Sequence, residues 1–261
     1  GLGNLHRQRG NLPLAMRFHK VTWRIARRHN LRTLEGDALY DLVGLSFDFG
    51  DSKLGIEYAR RAIEAYGPGH TRIFRLAKDI AWLWMDRFGE FESAAHVFTV
   101  LMDHLWDPEN RVTLPASLAR AAAGAGWRDV FEEMWVETWS VIRQQPNQNF
   151  HSAALTQIAL GAGSIGDWER ARMAATEAFR IARERQESEP LLVAESILQA
   201  MRSAVIAEEA IQTVFRDRQR PAVLWMSDHA PDLASELTGA MMVRRDDAPH
   251  GPAHTRKLSP A

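Results

Sequence analysis

The 261-residue sequence contains no cysteine, which excludes disulfide bonds and thiolate-bound metal sites. No apolar run approaches the roughly 18 residues that a membrane-spanning helix needs, and the N-terminus lacks a basic segment followed by an apolar one. The net charge is only −1, so no strong field attracts nucleic acid or an anionic lipid surface. We therefore expect a cytoplasmic protein that does not bind membranes and does not bind nucleic acid directly.

The sequence also lacks a recognisable catalytic or metal-binding constellation. Its ten histidines are scattered, and no pair has the HExxH spacing that places two imidazoles on one helical face for zinc. Two close glycine pairs, Gly124 with Gly126 and Gly161 with Gly163, lie at or inside helical segments and not after a strand, which is unlike a phosphate loop. We expect no enzyme activity, metal or cofactor. Asp79 and Asp86, seven residues apart, are the one acidic pair that an enzyme hypothesis would invoke.

What the sequence does contain is a recurring glycine turn, clearest at Gly166-Asp167-Trp168-Glu169-Arg170-Ala171. Related turns place glycine at intervals of 40, 39, 37 and 40 residues: Gly10, Gly50, Gly89, Gly126 and Gly166. In four of the five, a small residue follows five positions later: Ala15, Gly55, Ala94 and Ala171. The fourth turn has Phe131 there, so we expect its helix pair to be spread or shifted. Self-similarity at this period is typical of helical repeat proteins.

The pattern resembles the tetratricopeptide repeat (TPR) family, in a long-repeat form like that of bacterial signalling and regulatory proteins. Two segments carry the resemblance: Leu2-Gly3-Asn4-Leu5 with Gly10-Asn11-Leu12 and Ala15, and Ile158-Ala159 with Gly166-Asp167-Trp168, Ala171 and Ala178. The repeats here are longer than the family's usual unit of about 34 residues. The resemblance implies an all-α fold, a right-handed α-solenoid superhelix of helix hairpins. We expect five clear repeats and one degenerate repeat over residues 1–220, a capping helix within 221–245 and a disordered tail over 246–261.

In that family the first helix of each hairpin lines a concave groove. Aligning the glycines places the following residues there: Asn4, Arg7, Tyr40, Phe47, Asp79, Asp86 and Arg120, with Gln8, Asp37, Asp48, Leu83, Arg87, Thr156, Leu160 and Ser164 beside them. Such a polar and aromatic surface suits an extended peptide, because amides and guanidinium groups bond its backbone and aromatic rings give apolar contact. The alternative is that these are ordinary solvent-exposed helix residues.

The helix after Gly10 has two distinct stripes. Asn11 and Pro13 are suited to its first turn, and Leu14, Phe18, Val21 and Ile25 form an apolar stripe at helical spacing. Beside it runs a basic face of Arg17, Lys20, Arg24 and Arg27. Residues 1–34 hold eight Lys or Arg and no Asp or Glu, so the other residues carry a net charge of −9. The basic face is either a surface for an acidic partner or a solvated outer face.

These observations favour a scaffold or adaptor that binds a peptide or a segment of a partner protein in the groove. The alternative is a sensor or effector domain of a bacterial transcriptional or signalling regulator whose output domain lies upstream, since the chain opens on Gly1 in the middle of a repeat. Self-association is compatible with either function.

Overall fold

A computed structural model describes residues 1–105, 107–144, 149–204 and 224–243. These residues form helices and turns and no strand, which confirms the all-α prediction. A π-helical turn, Trp84–Phe88, continues the fifth helix. The helices are α1 Leu2–Gln8, α2 Leu12–Arg28, α3 Arg32–Asp48, α4 Ser52–Tyr66, α5 Thr71–Leu83, α6 Phe91–Met102, α7 Pro108–Ala125, α8 Arg128–Gln144, α9 His151–Ser164, α10 Trp168–Arg185, α11 Ser188–Ala204 and α12 Leu224–Met242.

The chain divides into two compact units. One contains residues 1–79 together with α12 from Asp228 onward, and the other contains residues 80–227. In the first unit α2 packs on α1 and α3, and α3 packs on α4. In the second unit α7 contacts α6, α8 and α9, while α9 also contacts α10 and α11. Within each unit, helices thus pack on sequence neighbours, and in the second unit α7–α9 and α9–α11 also join a helix to the next but one.

The five predicted glycines all terminate a helix in the left-handed conformation. Their φ angles are 75° at Gly10, 80° at Gly50, 72° at Gly89, 82° at Gly126 and 81° at Gly166. After α7, the N–H of Trp127 donates to the Ala122 carbonyl and the N–H of Gly126 donates to the Ala123 carbonyl. This pair of bonds satisfies helix-end carbonyls that would otherwise lack a partner. Glycine recurs here because it adopts positive φ without a Cβ clash.

The same kind of turn occurs twice without glycine, and the repeat pattern did not predict it. Asn30, between α2 and α3, has φ 53°, and Gln186, between α10 and α11, has φ 59°. The hydrogen bonds of the two turns correspond. The Leu31 N–H donates to the Ala26 carbonyl, and the Glu187 N–H donates to the Ala182 carbonyl. These two turns between hairpins thus reuse the geometry of turns within hairpins.

Four helices begin with a side chain that caps the backbone. Asn11, Asp51, Asp107 and Asp167 each accept a hydrogen bond from an N–H in the first turn of α2, α4, α7 and α10. Each cap satisfies a helix N–H that has no partner within the helix. The predicted roles of Asn11 and Pro13 at the start of α2 are confirmed.

The small residues that follow the glycines are buried where helices pack. Ala15, Ala94 and Ala171 are fully buried, and Gly55 is also buried. Phe131, the exception, is fully buried as well. Its ring lies 3.3 Å from the position that a Cβ on Gly161 of α9 would occupy, so the absence of a side chain at Gly161 makes room for the ring.

Two prolines lie inside helices. Pro115 is within α7, which begins at Pro108 after the Asp107 cap. Pro231 is within α12, which lies inside the range expected for the capping helix. Residues 205–220 of the expected degenerate repeat and the tail expected at 246–261 lie outside the described residues.

Most of the described aromatic residues of the third repeat are buried and form interior packing. Trp84 and Phe98 are fully buried, and Phe88 and Phe91 are nearly so, while Trp82 is half-buried. Trp106 lies outside the described residues. Phe91 packs over Gly124 of α7, where its ring carbons lie within 3 Å of a Cβ position.

Candidate interaction surface

Several residues predicted to line the groove are paired with polar residues on neighbouring first helices. Arg7 of α1 donates two hydrogen bonds to the carboxylate of Asp48 at the end of α3, at 2.8 and 3.0 Å. The Arg7 side chain is 42% exposed and that of Asp48 is 22% exposed. This pair joins the first helices of two successive hairpins through groups that water also reaches.

Tyr40 and Asp79 form the next pair, between α3 and α5. The Tyr40 hydroxyl donates to the Asp79 carboxylate. Nearby, the Tyr66 hydroxyl donates to Asp37 at 2.7 Å. Burial raises the pKa of Tyr40, and of Tyr66, well above the usual tyrosine range, and the adjacent Asp79 and Asp37 carboxylates raise it further. Both phenols therefore remain neutral hydrogen-bond donors at physiological pH.

In the second unit, Arg120 joins three successive segments. Its guanidinium donates to Asp86 of the π-helical turn at 2.7 Å and to the side-chain oxygen of Gln157 on α9 at 2.8 Å. Arg120 is only 6% exposed, whereas the Asp86 side chain is 49% exposed. A buried cation of this kind requires such partners, because burial without them is costly.

At the start of α9 lies a second polar cluster. The Ser152 hydroxyl donates to Glu187, which precedes α11. The neighbouring His151 is 1% exposed, and neither ring nitrogen has a hydrogen-bond partner. Burial lowers the pKa of His151, and the positive charge of Arg185 lowers it further, against the opposing effect of Glu187. Sequence reasoning missed both residues, because they fall outside the glycine alignment.

Phe47 does not provide an open aromatic surface. It is only 3% exposed, and its ring carbons lie 3.0 to 3.2 Å from the Cβ position of Gly55. The expectation that this ring faces a ligand is wrong, because it fills the space beside a glycine within its own hairpin. Thr156 and Leu160 on α9 are also buried, at 3% and 6% exposure, whereas Asn4 is exposed.

The predicted basic face on α2 is largely open. Arg17, Arg24 and Arg27 are exposed and Lys20 is half-buried, and none of the four forms an ion pair with any residue that the structure describes. Arginines on later helices differ, because Arg60 binds Glu236 and Arg170 binds Glu132. The charge of these four cations is therefore not neutralised by any residue that the structure describes.

The predicted apolar stripe of α2 is not its buried side. Val21 is 43% exposed and Ile25 is 52% exposed. The buried side consists of Ala15, His19 and Ala26. The ring of His19 lies directly over Gly3 of α1, and its Nδ1 lies 3.1 Å from Asp41 of α3. Small residues and one histidine thus form the buried side of α2, and the C-terminal part of its apolar stripe stays exposed.

A cavity of about 230 Å³ lies between α2, α3 and α4. Its lining carries charges of both signs, and the Arg61 guanidinium lies over the Trp23 ring at 5.5 Å. The lining residues are Trp23, Arg27, Arg32, Glu35, Arg61, Glu64 and Ala65. Because three arginines face two glutamates, the cavity does not favour one class of ligand.

Asp79 and Asp86 are each held by a separate partner, Tyr40 and Arg120 respectively. Within the described ranges, no group of three or more His, Asp or Glu side chains is placed to hold a metal ion. In the same residues, no helix has the length and apolar character needed to cross a membrane.

The sequence matches no protein-family model and none of the curated proteins with which it was compared.

Proposed function

We propose that the chain is a right-handed, TPR-like α-solenoid that acts as a protein-interaction scaffold and binds an extended segment of a partner along its first helices. The observation that carries the proposal is a row of polar contacts between successive first helices within each unit. The contacts are Arg7–Asp48 and Tyr40–Asp79 in the first unit, and Asp86–Arg120 and Arg120–Gln157 in the second. The partners are separated in sequence by 41, 39, 34 and 37 residues. Such spacings are close to one repeat and support a regular array.

The spacing of this row suits an extended chain. Packed helices lie about 8–10 Å apart, and an extended peptide advances about 3.3 Å per residue. Groups on successive first helices would therefore meet backbone groups about three residues apart. Arg7 and Asp86 are accessible enough to bond such a backbone while they keep their present partners.

The proposal differs from a merely solvated surface in what the exposed groups can do. A solvated helix face needs no contact with the next helix, whereas here the polar groups are held in fixed positions by that contact. Fixed donors and acceptors bind with a smaller loss of side-chain entropy than mobile ones. The cytoplasmic location stays a prediction from composition.

Selection of peptides from a random displayed library on the immobilised full chain tests this function. Enriched peptides are then measured by fluorescence polarisation against Asn4→Ala, Arg7→Ala and Asp86→Asn. We expect at least one of these to weaken binding about tenfold, which corresponds to about 1.4 kcal/mol. Arg60→Ala is the matched control, because Arg60 lies on α4, the second helix of its hairpin, and pairs with Glu236. Failure to enrich any peptide, or equal binding by all variants, would overturn the proposal.

A further inference from the structure

Helix α2 carries a basic stripe directly beside an apolar stripe, and both are open. Arg17, Lys20 and Arg24 follow one another at helical spacing, with Val21 and Ile25 next to them. We call these five residues the basic–apolar face. A shallow groove runs along it, lined by Pro13, Met16, Arg17, Lys20, Val21 and Arg24.

Helix α1, which packs on α2, also exposes apolar side chains. Leu2 is 60% exposed and Leu5 is 40% exposed. The Phe18 ring of α2 stacks on His6 of α1 with ring centroids 5.3 Å apart. Scattered apolar residues are normal on a protein surface, but a group of them beside unpaired charges is characteristic of an interaction site.

The charge of this region is unbalanced. The eight cations of residues 1–34 have no acidic residue among them. Arg7 and Arg32 reach carboxylates of α3, but the three cations of the basic–apolar face have no partner among the described residues. An acidic partner would therefore meet charges that are not already neutralised, which raises both its association rate and its specificity.

We propose that the basic–apolar face binds an acidic amphipathic helix of a partner protein. Apolar side chains of that helix would contact Val21 and Ile25, and its Asp and Glu side chains would meet Arg17, Lys20 and Arg24. A helix fits better than an extended strand, because the stripes run along α2 at intervals of three and four residues, which a second helix packed alongside can match.

The chain's own C-terminal residues are a poor match for this role. Residues 244–261 contain four cations, Arg244, Arg245, Arg256 and Lys257, against Asp246 and Asp247. Their net charge of +2 would be repelled by the face.

The basic–apolar face is a different surface from the first-helix row. The inference can therefore be tested independently of the proposed peptide site.

A synthetic helical peptide tests the inference on the full chain. The probe has leucine at positions i, i+4, i+7 and i+11, glutamate beside each leucine, and a fluorescent label. We expect fluorescence polarisation to show binding that weakens at high salt. A peptide of the same composition in scrambled order, and one with lysine in place of glutamate, should bind about tenfold more weakly or not at all.

Variants separate the two components of the face. Arg17→Glu with Arg24→Glu should remove the salt-dependent part of binding, and Val21→Ser with Ile25→Ser should weaken binding at every salt concentration. The matched controls on α10 are Arg172→Glu with Arg183→Glu and the single change Met173→Ser, since all three residues are exposed. These controls should bind the probe like the parent chain.

Three results would overturn the inference. The first is equal binding of the ordered and scrambled peptides. The second is binding to vesicles of phosphatidylserine and phosphatidylcholine without binding to the probe, which would assign the face to a lipid surface. The third is that the parent chain forms a dimer and does not bind the probe, whereas the variants of the basic–apolar face are monomers. That result would assign the face to a second copy of the chain. Loss of first-helix peptide binding alone would leave the inference unaffected.

Discussion

The buried guanidinium of Arg120 lies 2.7 Å from the half-exposed carboxylate of Asp86. We expect Asp86→Ala to destabilise the fold, because Arg120 then keeps, among the described residues, only the neutral Gln157 as a hydrogen-bond partner. The free energy of unfolding should fall by about 1 kcal/mol. A buried hydrogen bond between charged groups contributes more than this, but Asp86 is half-exposed and solvent weakens its interaction. Urea unfolding followed by circular dichroism measures it.

A double-mutant cycle distinguishes this coupling from general disruption. Arg120→Met keeps much of the side-chain volume and removes the charge, so adding Asp86→Ala to it should cost less than Asp86→Ala alone. If the two changes destabilise the fold additively, the pair is a contact without energetic coupling.

The turns were predictable from the sequence where glycine marks them. Gly126 and Gly166 stand out because positive φ penalises other residues, so the local backbone selects the residue. Asn30 adopts the same geometry, which asparagine enters more readily than most residues with a side chain, so this turn carried a weak sequence signal. Gln186 adopts it at a cost that a single turn tolerates, and its residue type does not distinguish it from a helix residue. The alignment therefore predicted hairpins but missed turns between them.

The pairing of the first-helix residues could not be read from the sequence. The glycine alignment placed Arg7, Asp48 and Asp86 among the candidate residues, but it gives no register between one helix and the next. Whether Arg120 meets Asp86 depends on how far two packed helices slide along each other, which core side chains decide. Phe47 was misplaced for a related reason, because a glycine on the facing helix receives its ring.

Gly36 of α3 lies under the ring of Tyr66, and a Cβ at this position would be 2.4 Å from a ring carbon. The ring cannot move easily, because its hydroxyl donates to Asp37 and the residue is 5% exposed. We expect Gly36→Ala to cost about 1–3 kcal/mol. This loss should exceed the helix-propensity gain, which is about 1 kcal/mol at most. Thermal unfolding of the variant measures the difference.

Gly239→Ala is the control for Gly36→Ala. Gly239 lies inside α12 with no atom within 4 Å of its Cβ position, so the same change should be neutral or stabilising. A lower melting temperature for Gly239→Ala together with no change for Gly36→Ala would contradict this account of the two sites.

The buried imidazole of His151 should make the fold sensitive to acid. Its pKa lies below the usual histidine value, so below about pH 6.5 the unfolded chain binds a proton that the folded chain does not. The free energy of unfolding therefore falls as the pH drops below that value and is unaffected by this group above it. His151→Leu removes the group, and urea unfolding at several pH values should show a flatter acid-side dependence. An unchanged pH dependence would assign the acid sensitivity to other groups.

Gln186 ends α10 in the left-handed region, at φ 59° and ψ 37°. That conformation costs a residue with a Cβ roughly 1–2 kcal/mol. Glycine avoids this cost but loses about 0.4–1 kcal/mol through its more flexible unfolded state. We therefore expect Gln186→Gly to stabilise the fold by up to about 1 kcal/mol. Gln199→Gly is the matched control, because Gln199 is an exposed residue inside α11 where glycine should cost about 1 kcal/mol. If both changes lower the melting temperature alike, the left-handed turn at Gln186 carries no strain.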